Sequence, residues 1–443
     1  MTDPDSLSEG AFVHDIAQRL WPIDRSITGN GVRQSLAILQ EYLPGLTVHE
    51  VPSGTQVFDW EVPDEWNITA ARLIGPDGNV VVDWADCNLH IVAYSTPIDI
   101  ELDLGDLQGH LHSLPDQPDA IPYVTSYYHR TWGFCLTHDQ REGLVDGTYR
   151  AVIEGTLQPG SLTYGELVIP GESTDEIFLS TYLCHPSLAN NELSGPMVST
   201  ALARWVASLS RHHYTYRFVF APETIGALTY SALNRDHLRE NVVAAFNLTC
   251  IGDERAFTYL ASREGGLRID RIAKRVLSTR ENVRHYTYRA RGSDERHYGA
   301  PGMDLPMISL MRSRYSDYPE YHTSLDDLVH VVTPAGLQGG IDMVRDCLLY
   351  MEDQPVLVTT QIGEPQLGKR GLYHLIMGKT VADEILLRVD ILAYADGHHD
   401  IIDMSEMFDV PVDVLRTMID ELMEHDLIRE YHQSNRLQPG ALS

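Results

Sequence analysis

Four short, nearly continuous apolar runs constrain the fold of this chain more strongly than any other feature of its sequence. The runs are EIFLSTYLC, RFVFAP, VAAFNLTCIG and PMISLMR, and all lie between residues 166 and 355. Runs without polar alternation suit strands buried on both faces of a mainly parallel sheet. Because segments of helical periodicity lie between the runs, we predict the α/β class, with a mixed, mainly parallel sheet flanked by helices.

Amphipathic segments provide the flanking helices of this predicted sheet. PMVSTALARWVASL, GLRIDRIAKRVL and AGLQGGIDMVRDCLLYM carry apolar residues at helical spacing. Thr333 and Pro334 give the last of them a good N-cap and first position. Two further helices are predicted within residues 8–45, with PIDRSITGNG as the loop between them.

The rest of the chain differs in pattern from this central region. Short alternating runs such as VVVDW and LHIVAYS, separated by turn signals such as GPDGN, predict a β-rich insertion. Near the end, a short helix, a turn at Val410 and Pro411 and a longer helix resemble a winged helix. We therefore predict an α/β domain of residues 1–50 and 166–370, a β-rich inserted subdomain of residues 51–165 and a winged-helix-like domain of residues 371–443.

The charge balance argues against nucleic-acid and membrane partners. The formal net charge is −30, from 33 basic and 63 acidic residues, and such a surface repels phosphate backbones and anionic membranes. From Lys379 to Glu430 there are 4 basic and 14 acidic residues, the wrong sign for a DNA-reading winged helix. We expect this unit to act as a lid, a docking surface or a contact in a homo-oligomer.

Cysteine usage and the N-terminal segment favour a cytoplasmic protein. The five cysteines are widely spaced and include no CxxC pair, so neither a disulfide framework nor a cysteine zinc cluster is indicated. The start, MTDPDSLSEGAF, lacks the basic and apolar regions of a secretory signal. No apolar run reaches the roughly 18 residues that a membrane helix needs.

Each predicted strand is followed by a side chain that can bind a metal or transfer a proton. These side chains are His185, Glu223, Asp253 and His322, and the carboxyl ends of strands in open α/β sheets form sites. Histidine and carboxylate ligands suit zinc, which polarises carbonyls and lowers the pKa of water. Glu223 is the candidate general base that accepts the proton of that water.

Each of these residues also has a structural interpretation. His185 could instead be a buried structural histidine. Glu223 could instead interact with the positive end of a helix dipole at a helix N-terminus. Asp253 could instead cap a turn. His322 could instead form an ion pair with Asp326 or Asp327, which follow it in the chain.

Two further segments are rich in charged or aromatic side chains that could bind a substrate. RGSDERHYGAPG carries Asp294, Glu295 and Arg296, which are candidates for binding a charged end of a substrate or for supporting a metal ligand; the alternative is a solvated loop. TSYYHRTWGFCL is rich in aromatic residues, which favour either a pocket wall or a core.

Taken together, STYLCHPSLANNELSGP, PETIG, LTCIGDERA, GSDERHY and EYHTSLDDL resemble the bacterial aminopeptidase-like proteins of the co-catalytic zinc exopeptidase superfamily. RSITGNGVRQSL, SYYHRTWGFCL and the winged-helix tail belong to the same resemblance, which covers about residues 10–435. The resemblance implies a zinc-exopeptidase-like α/β core with an inserted β-rich subdomain. It also implies that His185 and His322 are zinc ligands and that Glu223 is the general base.

The chain departs from the two-zinc pattern of this superfamily at three positions. Asn191 replaces the bridging aspartate, with Glu192 beside it, while Thr224 and Thr249 replace two further acidic residues. A neutral amide cannot offset the repulsion between two dications. The resemblance therefore implies one zinc ion, with two as the alternative.

The predicted ligands of that single ion are His185, His322 and either Glu192 or Asp253. The predicted substrate-binding residues are those of the RGSDERHYGAPG loop together with Tyr321, which precedes His322.

The predicted function is zinc-dependent hydrolysis of an amide bond in a small peptide or in an aminoacyl or acylated small molecule. Two alternatives remain open at this point. One is a deacylase that acts on a biosynthetic intermediate, and the other is a binding protein with a degenerate metal site.

Overall fold

The computed structural model describes residues 8–372 and 379–431. Residues 1–7, 373–378 and 432–443 lie outside the described residues, and with them lie most of the acidic N-terminal start and both edges of the predicted winged-helix-like domain. The helices of the described part are α1 Glu9–Leu20, α2 Asn30–Tyr42, α3 Leu104–Leu107, α4 His138–Glu142, α5 Ser194–Ser208, α6 Ile225–Asn241, α7 Arg268–Leu277, α8 Glu295–Tyr298, α9 Pro334–Asp353, α10 Lys379–Tyr394, α11 Ile401–Phe408 and α12 Val412–Glu424.

The strands, also numbered in chain order, form five sheets in the described part of the chain. They are β1 Thr47–Pro52, β2 Gln56–Val57, β3 Trp60–Glu61, β4 Glu65–Ile74, β5 Val80–Asp83, β6 Ile98–Asp103, β7 Leu111–His112, β8 Phe134–Cys135, β9 Thr148–Gln158, β10 Ser161–Ile169, β11 Glu176–Tyr182, β12 Thr215–Ala221, β13 Val242–Leu248, β14 Phe257–Leu260, β15 Val283–Tyr286, β16 Met307–Met311, β17 Val356–Thr359, β18 Asp396–Asp400 and β19 Ile428–Tyr431.

An eight-stranded mixed sheet forms the centre of the molecule, in the order β1-β10-β12-β11-β13-β16-β14-β15. Its four middle strands, β12, β11, β13 and β16, run parallel and correspond to the four apolar runs. Strands β1 and β10 add antiparallel pairs at one edge. The predicted α/β class with a mainly parallel centre is confirmed.

The continuous apolar character of these runs follows from burial on both faces of the sheet. Along β11, Ile177 and Leu179 belong to one hydrophobic core, whereas Phe178 between them belongs to a second core. Helices α1, α5 and α9 supply the first core, and α6 supplies the second. Burying one such side chain contributes about 1.5–3 kcal/mol, so both faces stabilise the sheet that positions the strand ends.

Strand pairing suggests different domain boundaries from those predicted. Because β1 and β10 pair within the central sheet, we propose that the insertion spans about residues 53–160, with a four-stranded antiparallel sheet, β5-β4-β9-β6, as its main part. Because β17 pairs with β18 and β19, we propose that the winged-helix unit begins near residue 354.

Ion pairs connect the winged-helix unit to the α/β core. Arg271 Nε lies 3.1 Å from Asp403 Oδ1, and Arg275 Nη2 lies 2.8 Å from Glu406 Oε2. The apolar side chains of α11 and α12 form a hydrophobic core of their own. Among the helices of the described residues, none combines the length and apolar character needed to cross a membrane.

Candidate active site

The structure brings His185, Glu223 and His322 together at one end of the central sheet. Neighbouring parallel strands β11 and β12 end just before His185 and Glu223, and His185 Nε2 lies 3.8 Å from Glu223 Oε2. His322 follows β16, and its ring centroid lies 5.7 Å from that of His185. Three of the residues predicted to carry the chemistry therefore face one another.

The buried carboxylate of Glu192 contacts the side of the His185 ring that faces away from Glu223. Glu192 Oε2 accepts hydrogen bonds from the backbone N–H of His185 at 2.9 Å and from its Nδ1 at 3.2 Å. Glu192 Oε1 accepts a hydrogen bond from Arg25 Nε at 3.2 Å. Because Nδ1 carries the hydrogen in this arrangement, Nε2 presents its lone pair toward Glu223. A carboxylate behind a histidine is a common support for a metal ligand.

The same contacts disfavour Glu192 as a ligand. Its side chain is inaccessible to solvent, and both oxygens already accept hydrogen bonds. The guanidinium of Arg25 would also repel a cation bound there. Cys184 Sγ, His185 and Glu192 form a compact group of potential ligands among the described residues. Burial and the Glu192 charge raise the pKa of the Cys184 thiol well above its usual range, which favours the protonated thiol as long as no cation is bound.

Substitutions at the Arg25–Glu192 pair should show how much this buried ion pair matters for the stability of the protein. Both side chains are fully buried, so Glu192→Gln leaves Arg25 charged without a counterion and should lower the free energy of unfolding by about 3–5 kcal/mol. The double variant Arg25→Met/Glu192→Gln should recover most of this loss, as measured by urea unfolding. A Glu192→Gln variant as stable as the parent would contradict the buried-pair interpretation.

Aromatic contacts hold His322 in place in an unfavourable backbone conformation. Its imidazole stacks on Tyr321 at 3.9 Å between centroids and meets the edge of Tyr123 at 5.2 Å. Its backbone carbonyl accepts a hydrogen bond from Tyr123 N–H, and its φ of 58° lies in the left-handed region. Burial and the neighbouring His185 lower the pKa of His322 to about 3. The ring is therefore neutral at physiological pH, as a metal ligand must be.

Glu223 lies in a tightly held turn between β12 and α6. Its backbone N–H donates to Cys184 Sγ at 3.2 Å, and the next residue, Thr224, has a φ of 62°. The N–H of Thr224 donates to Asp294 Oδ1 at 2.8 Å, and Arg296 Nη2 donates to its hydroxyl at 2.7 Å. Burial raises the pKa of Glu223, while His185 opposes this shift.

The three residues of the RGSDERHYGAPG loop occupy different environments. Arg296 lines the site cavity. Asp294 lies behind it, where burial and the nearby Glu223 raise its pKa well above the usual range. Glu295 has no exposed surface, and its carboxylate accepts hydrogen bonds from backbone and side-chain donors that include Tyr315 and Asn247. These contacts disfavour Glu295 as a substrate-binding residue, because its buried carboxylate already accepts several hydrogen bonds.

Asp253 is also held away from the cavity. Its two oxygens accept hydrogen bonds from Asn190 Nδ2, from the N–H and hydroxyl of Ser313 and from the N–H of Arg255. The turn-capping alternative matches these contacts, which disfavour Asp253 as a metal ligand.

Neutral groups occupy the positions where the two-zinc pattern has acids. Tyr182 donates its hydroxyl to Asn191 Oδ1 at 2.7 Å, and the hydroxyl of Thr249 bonds the same tyrosine oxygen. All three side chains are buried. This hydrogen-bonded group offers no negative charge to a second cation.

A cavity of about 470 Å³ opens in front of these residues. Aromatic side chains of the SYYHRTWGFCL segment form one wall, which supports the pocket-wall interpretation of that segment. The lining residues are Ile27, Trp60, Tyr123, Thr125, Ser126, Tyr127, Tyr128, His129, Cys184, His185, Glu223, Thr224, Ile225, Arg296 and His322. Tyr321 contacts the site through its stacking on His322.

Sequence reasoning missed Arg25 and Tyr182. Both act through partners that lie far away in sequence, Glu192 for Arg25 and Thr249 for Tyr182. The signal available for Arg25 was its place in RSITGNG, which belonged to the resemblance without an assigned role.

Comparison with protein-family models gives two matches. Residues 14–354 match a family described as a domain of unknown function, DUF4910. Residues 354–430 match a winged helix-turn-helix family, in agreement with the predicted C-terminal unit.

Individual relatives extend this comparison. A Clostridium acetobutylicum protein, provisionally named a polysaccharide biosynthesis protein with an aminopeptidase-like domain, is 40% identical over 405 residues, which cover 90% of this chain and 92% of the relative. A crystal structure of a provisionally named peptidase from the same species has a TM-score of 0.81 and 38% identity, covering 95% of this chain and 96% of that one.

A zinc aminopeptidase from Bacillus subtilis shares the fold, with a TM-score of 0.55 and 13% identity, covering 77% of this chain and 93% of that one. The predicted resemblance to zinc aminopeptidases, with a C-terminal winged helix, is confirmed at the level of fold.

Proposed function

The chain belongs to the DUF4910 family, whose function is unknown. We propose that this protein is a zinc-dependent hydrolase of amide bonds. The observation that supports the proposal most strongly is the meeting of two imidazoles and a carboxylate in one cavity. Their nearest measured approach is 3.8 Å, between His185 Nε2 and Glu223 Oε2. The aminopeptidase fold is consistent with hydrolysis, but the chemistry is argued from this site.

The imidazoles of the cavity are suited to bind one zinc ion, and they would supply two of the three protein ligands that are usual at a catalytic site. Nitrogen ligands from neutral histidines suit zinc, and the lowered pKa of His322 keeps that ring neutral. Glu192 bonds Nδ1 of His185 and leaves the Nε2 of that ring on the side of the cavity. Asn191 and Thr249 supply no charge for a second ion. His185 and His322 would therefore hold the ion, with Glu192 orienting the first of them.

When bound, zinc would polarise the substrate carbonyl and lower the pKa of a water molecule. Glu223 accepts the proton of the attacking water and passes it to the nitrogen of the leaving amine as the carbon–nitrogen bond breaks. The Thr224 contacts to Asp294 and Arg296 fix the turn that carries this carboxylate. Such fixed positions lower the entropic cost of reaching the transition state.

The aromatic wall and Arg296 suit the parts of the substrate that do not react. Tyr123 and Tyr127 bond each other through their hydroxyls at 2.7 Å and present apolar ring surface to the cavity. Arg296 offers a cation within the same cavity, which fits a substrate that carries a carboxylate or another anionic group.

A second candidate function is deacylation of a biosynthetic small molecule. The neutral Asn191–Tyr182–Thr249 group favours it, because the acids of a two-zinc aminopeptidase site are absent from these positions. The name of the Clostridium acetobutylicum relative, which refers to polysaccharide biosynthesis, also supports it.

Substrate profiling separates the candidate functions. Zinc-loaded protein should be assayed with aminoacyl anilides and with N-acylated amino sugars, and chelated protein serves as the control. Zinc-dependent release of amine from the anilides supports the aminopeptidase-like function, whereas release of acid from the acylated sugars alone supports deacylation. Absence of turnover on both panels would favour the binding-protein alternative.

The cytoplasmic location and the homo-oligomer stay predictions. The acidic character of the winged helix leads us to propose that this unit has no nucleic-acid partner.

A further inference from the structure

Arg296 places a positive charge in the cavity without a direct counterion. Its Nη2 donates to the Thr224 hydroxyl at 2.7 Å, and its Nε donates to His297 Nε2 at 3.1 Å. Both acceptors are neutral at physiological pH, because burial and the Arg296 charge lower the pKa of His297 to about 4. In the part of the chain that the structure describes, no carboxylate forms an ion pair with this guanidinium, whereas Arg25 pairs with Glu192.

The guanidinium of Arg296 can be reached by a molecule in the cavity. The side chain lines the cavity and is partly exposed. Its Nη1 donates to none of the described residues and is not enclosed by protein. Nη1 and the remaining hydrogen of Nη2 are therefore available to a ligand. A guanidinium binds a carboxylate best through two such parallel hydrogen bonds.

The position of this guanidinium relates it to one side of the scissile bond. Thr224, whose hydroxyl accepts the hydrogen bond from Arg296, directly follows Glu223 in the chain. In the proposed reaction Glu223 passes a proton to the leaving nitrogen, so the amine side of the scissile bond lies towards Glu223. A carboxylate on that side of the amide would lie within reach of Arg296. The α-carboxylate of an amino acid has this place relative to its nitrogen.

The cavity is poorly suited to the free amino group of an aminopeptidase substrate. An ammonium group is bound best by a carboxylate, and Glu223, the proposed base, is the one acidic side chain among the described lining residues. Asn191 and Thr249 are neutral where the two-zinc pattern has acids. Arg296 would also repel an ammonium group in the same cavity. An uncharged acyl group on the substrate nitrogen avoids this repulsion.

We propose that the active site takes N-acylated α-amino acids, with the α-carboxylate on Arg296 and the acyl group along the aromatic wall. This inference rests on the proposed function, because the role of Glu223 orients the scissile bond. Trp60 and Tyr128, which are 40% and 50% exposed, offer accessible ring surface to an apolar acyl group. Hydrolysis adds the water oxygen to the acyl carbon, moves a water proton to the nitrogen and breaks the carbon–nitrogen bond, which releases a carboxylic acid and the amino acid.

The test measures binding to the full chain after removal of metal by a chelator, so that the result does not depend on turnover. The two probes are N-benzoylglycine and N-benzoylglycinamide, which differ only in that the second carries a neutral amide in place of the carboxylate. Dissociation constants are measured by ligand-observed NMR titration. We expect the parent protein to bind N-benzoylglycine at least about tenfold more tightly than the amide, as a charge-assisted hydrogen-bonded pair predicts.

Substitution of Arg296 should remove this preference. Arg296→Gln should weaken binding of N-benzoylglycine about tenfold and leave binding of N-benzoylglycinamide within about twofold of the parent. Arg296→Lys keeps the charge but loses the planar fork, so its affinity should lie between those of the parent and of Arg296→Gln. The matched control is Arg130→Gln in the neighbouring aromatic segment. Arg130 is exposed and paired with Asp64 at 2.8 Å, and its loss should change neither affinity by more than about twofold.

Equal affinity of the parent protein for the two probes overturns the proposal, and so does failure of N-benzoylglycine to bind at about 20 mM. This comparison needs no variant, so it decides the matter even if Arg296→Gln does not fold. Equal weakening of both probes in Arg296→Gln also overturns the proposal, because Arg296 would then only hold the turn at Thr224. Failure of the proposed function has a different signature. Zinc-loaded protein that binds N-benzoylglycine through Arg296 without releasing glycine would support the carboxylate site and contradict the hydrolysis.

Discussion

His322→Ala should remove bound zinc and abolish amide hydrolysis while the protein remains folded. The imidazole of His322 stacks on Tyr321 at the cavity surface and carries no hydrogen bond that holds the core together. Removing one of two proposed imidazole ligands leaves His185 as the sole proposed protein ligand, and a single histidine does not retain zinc against dialysis. We expect zinc content to fall from about one ion per chain to about a tenth or less and turnover to fall by about 10³-fold or more.

The matched control for this substitution is His129→Ala. His129 lines the same cavity but is exposed and lies outside the group around Glu223. It should keep the zinc content and turnover of the parent within about twofold. Metal content is measured after dialysis, and folding is measured by circular dichroism. Full zinc retention in both His322→Ala and His185→Ala would remove the proposed metal centre.

Glu223→Gln should keep zinc and lose catalysis. The amide of glutamine is nearly the size of the carboxylate, so the turn held by Cys184 and Thr224 should stay in place. A neutral amide cannot accept the proton of the attacking water, and loss of a general base lowers turnover by about 10²-fold or more. The measurement is zinc content together with kcat for the parent and the variant on the same substrate.

Glu223→Asp provides the comparison for this prediction. It retains the charge but withdraws the carboxylate by one methylene, so its turnover should lie between those of the parent and of Glu223→Gln. Loss of zinc in Glu223→Gln would show that Glu223 is a ligand rather than the base. Parent-like turnover in Glu223→Gln would transfer the proton-accepting role to another residue.

The central sheet was predictable from sequence because its physical cause is local. Residues such as Ile177, Phe178 and Leu179 must all be apolar when alternate side chains enter cores on opposite faces. The N-cap of α9 was predictable for the same reason, since the Thr333 hydroxyl accepts the N–H of Gly336 three residues away.

The proximity of His185 and Glu223 followed from topology, because adjacent parallel strands end at the same edge of the sheet and both residues lie just beyond those ends. His322 lies in the long loop after β16, which is not adjacent to either strand, so strand order alone did not fix its place. The neutral residues Asn191, Thr224 and Thr249 were visible in the sequence, because each lies within a short motif that carries the family resemblance.

The direction in which a buried acid points was not predictable. Asp253 and Glu295 follow the same kind of loop signal as Glu223, yet one bonds Ser313 and the other bonds Tyr315 and Asn247. These partners are contributed by distant segments, and sequence spacing carries no information about them. The contact of Glu192 with Arg25 was not predictable for the same reason, since it joins residues 167 positions apart.

Anomalous diffraction at the zinc edge, from crystals of the zinc-loaded protein, tests the proposed centre most directly. We expect one anomalous peak per chain at about 2.0–2.1 Å from His185 Nε2 and at a similar distance from an imidazole nitrogen of His322. A peak bound instead by Cys184 and Glu192, or no peak at this end of the sheet, would contradict it.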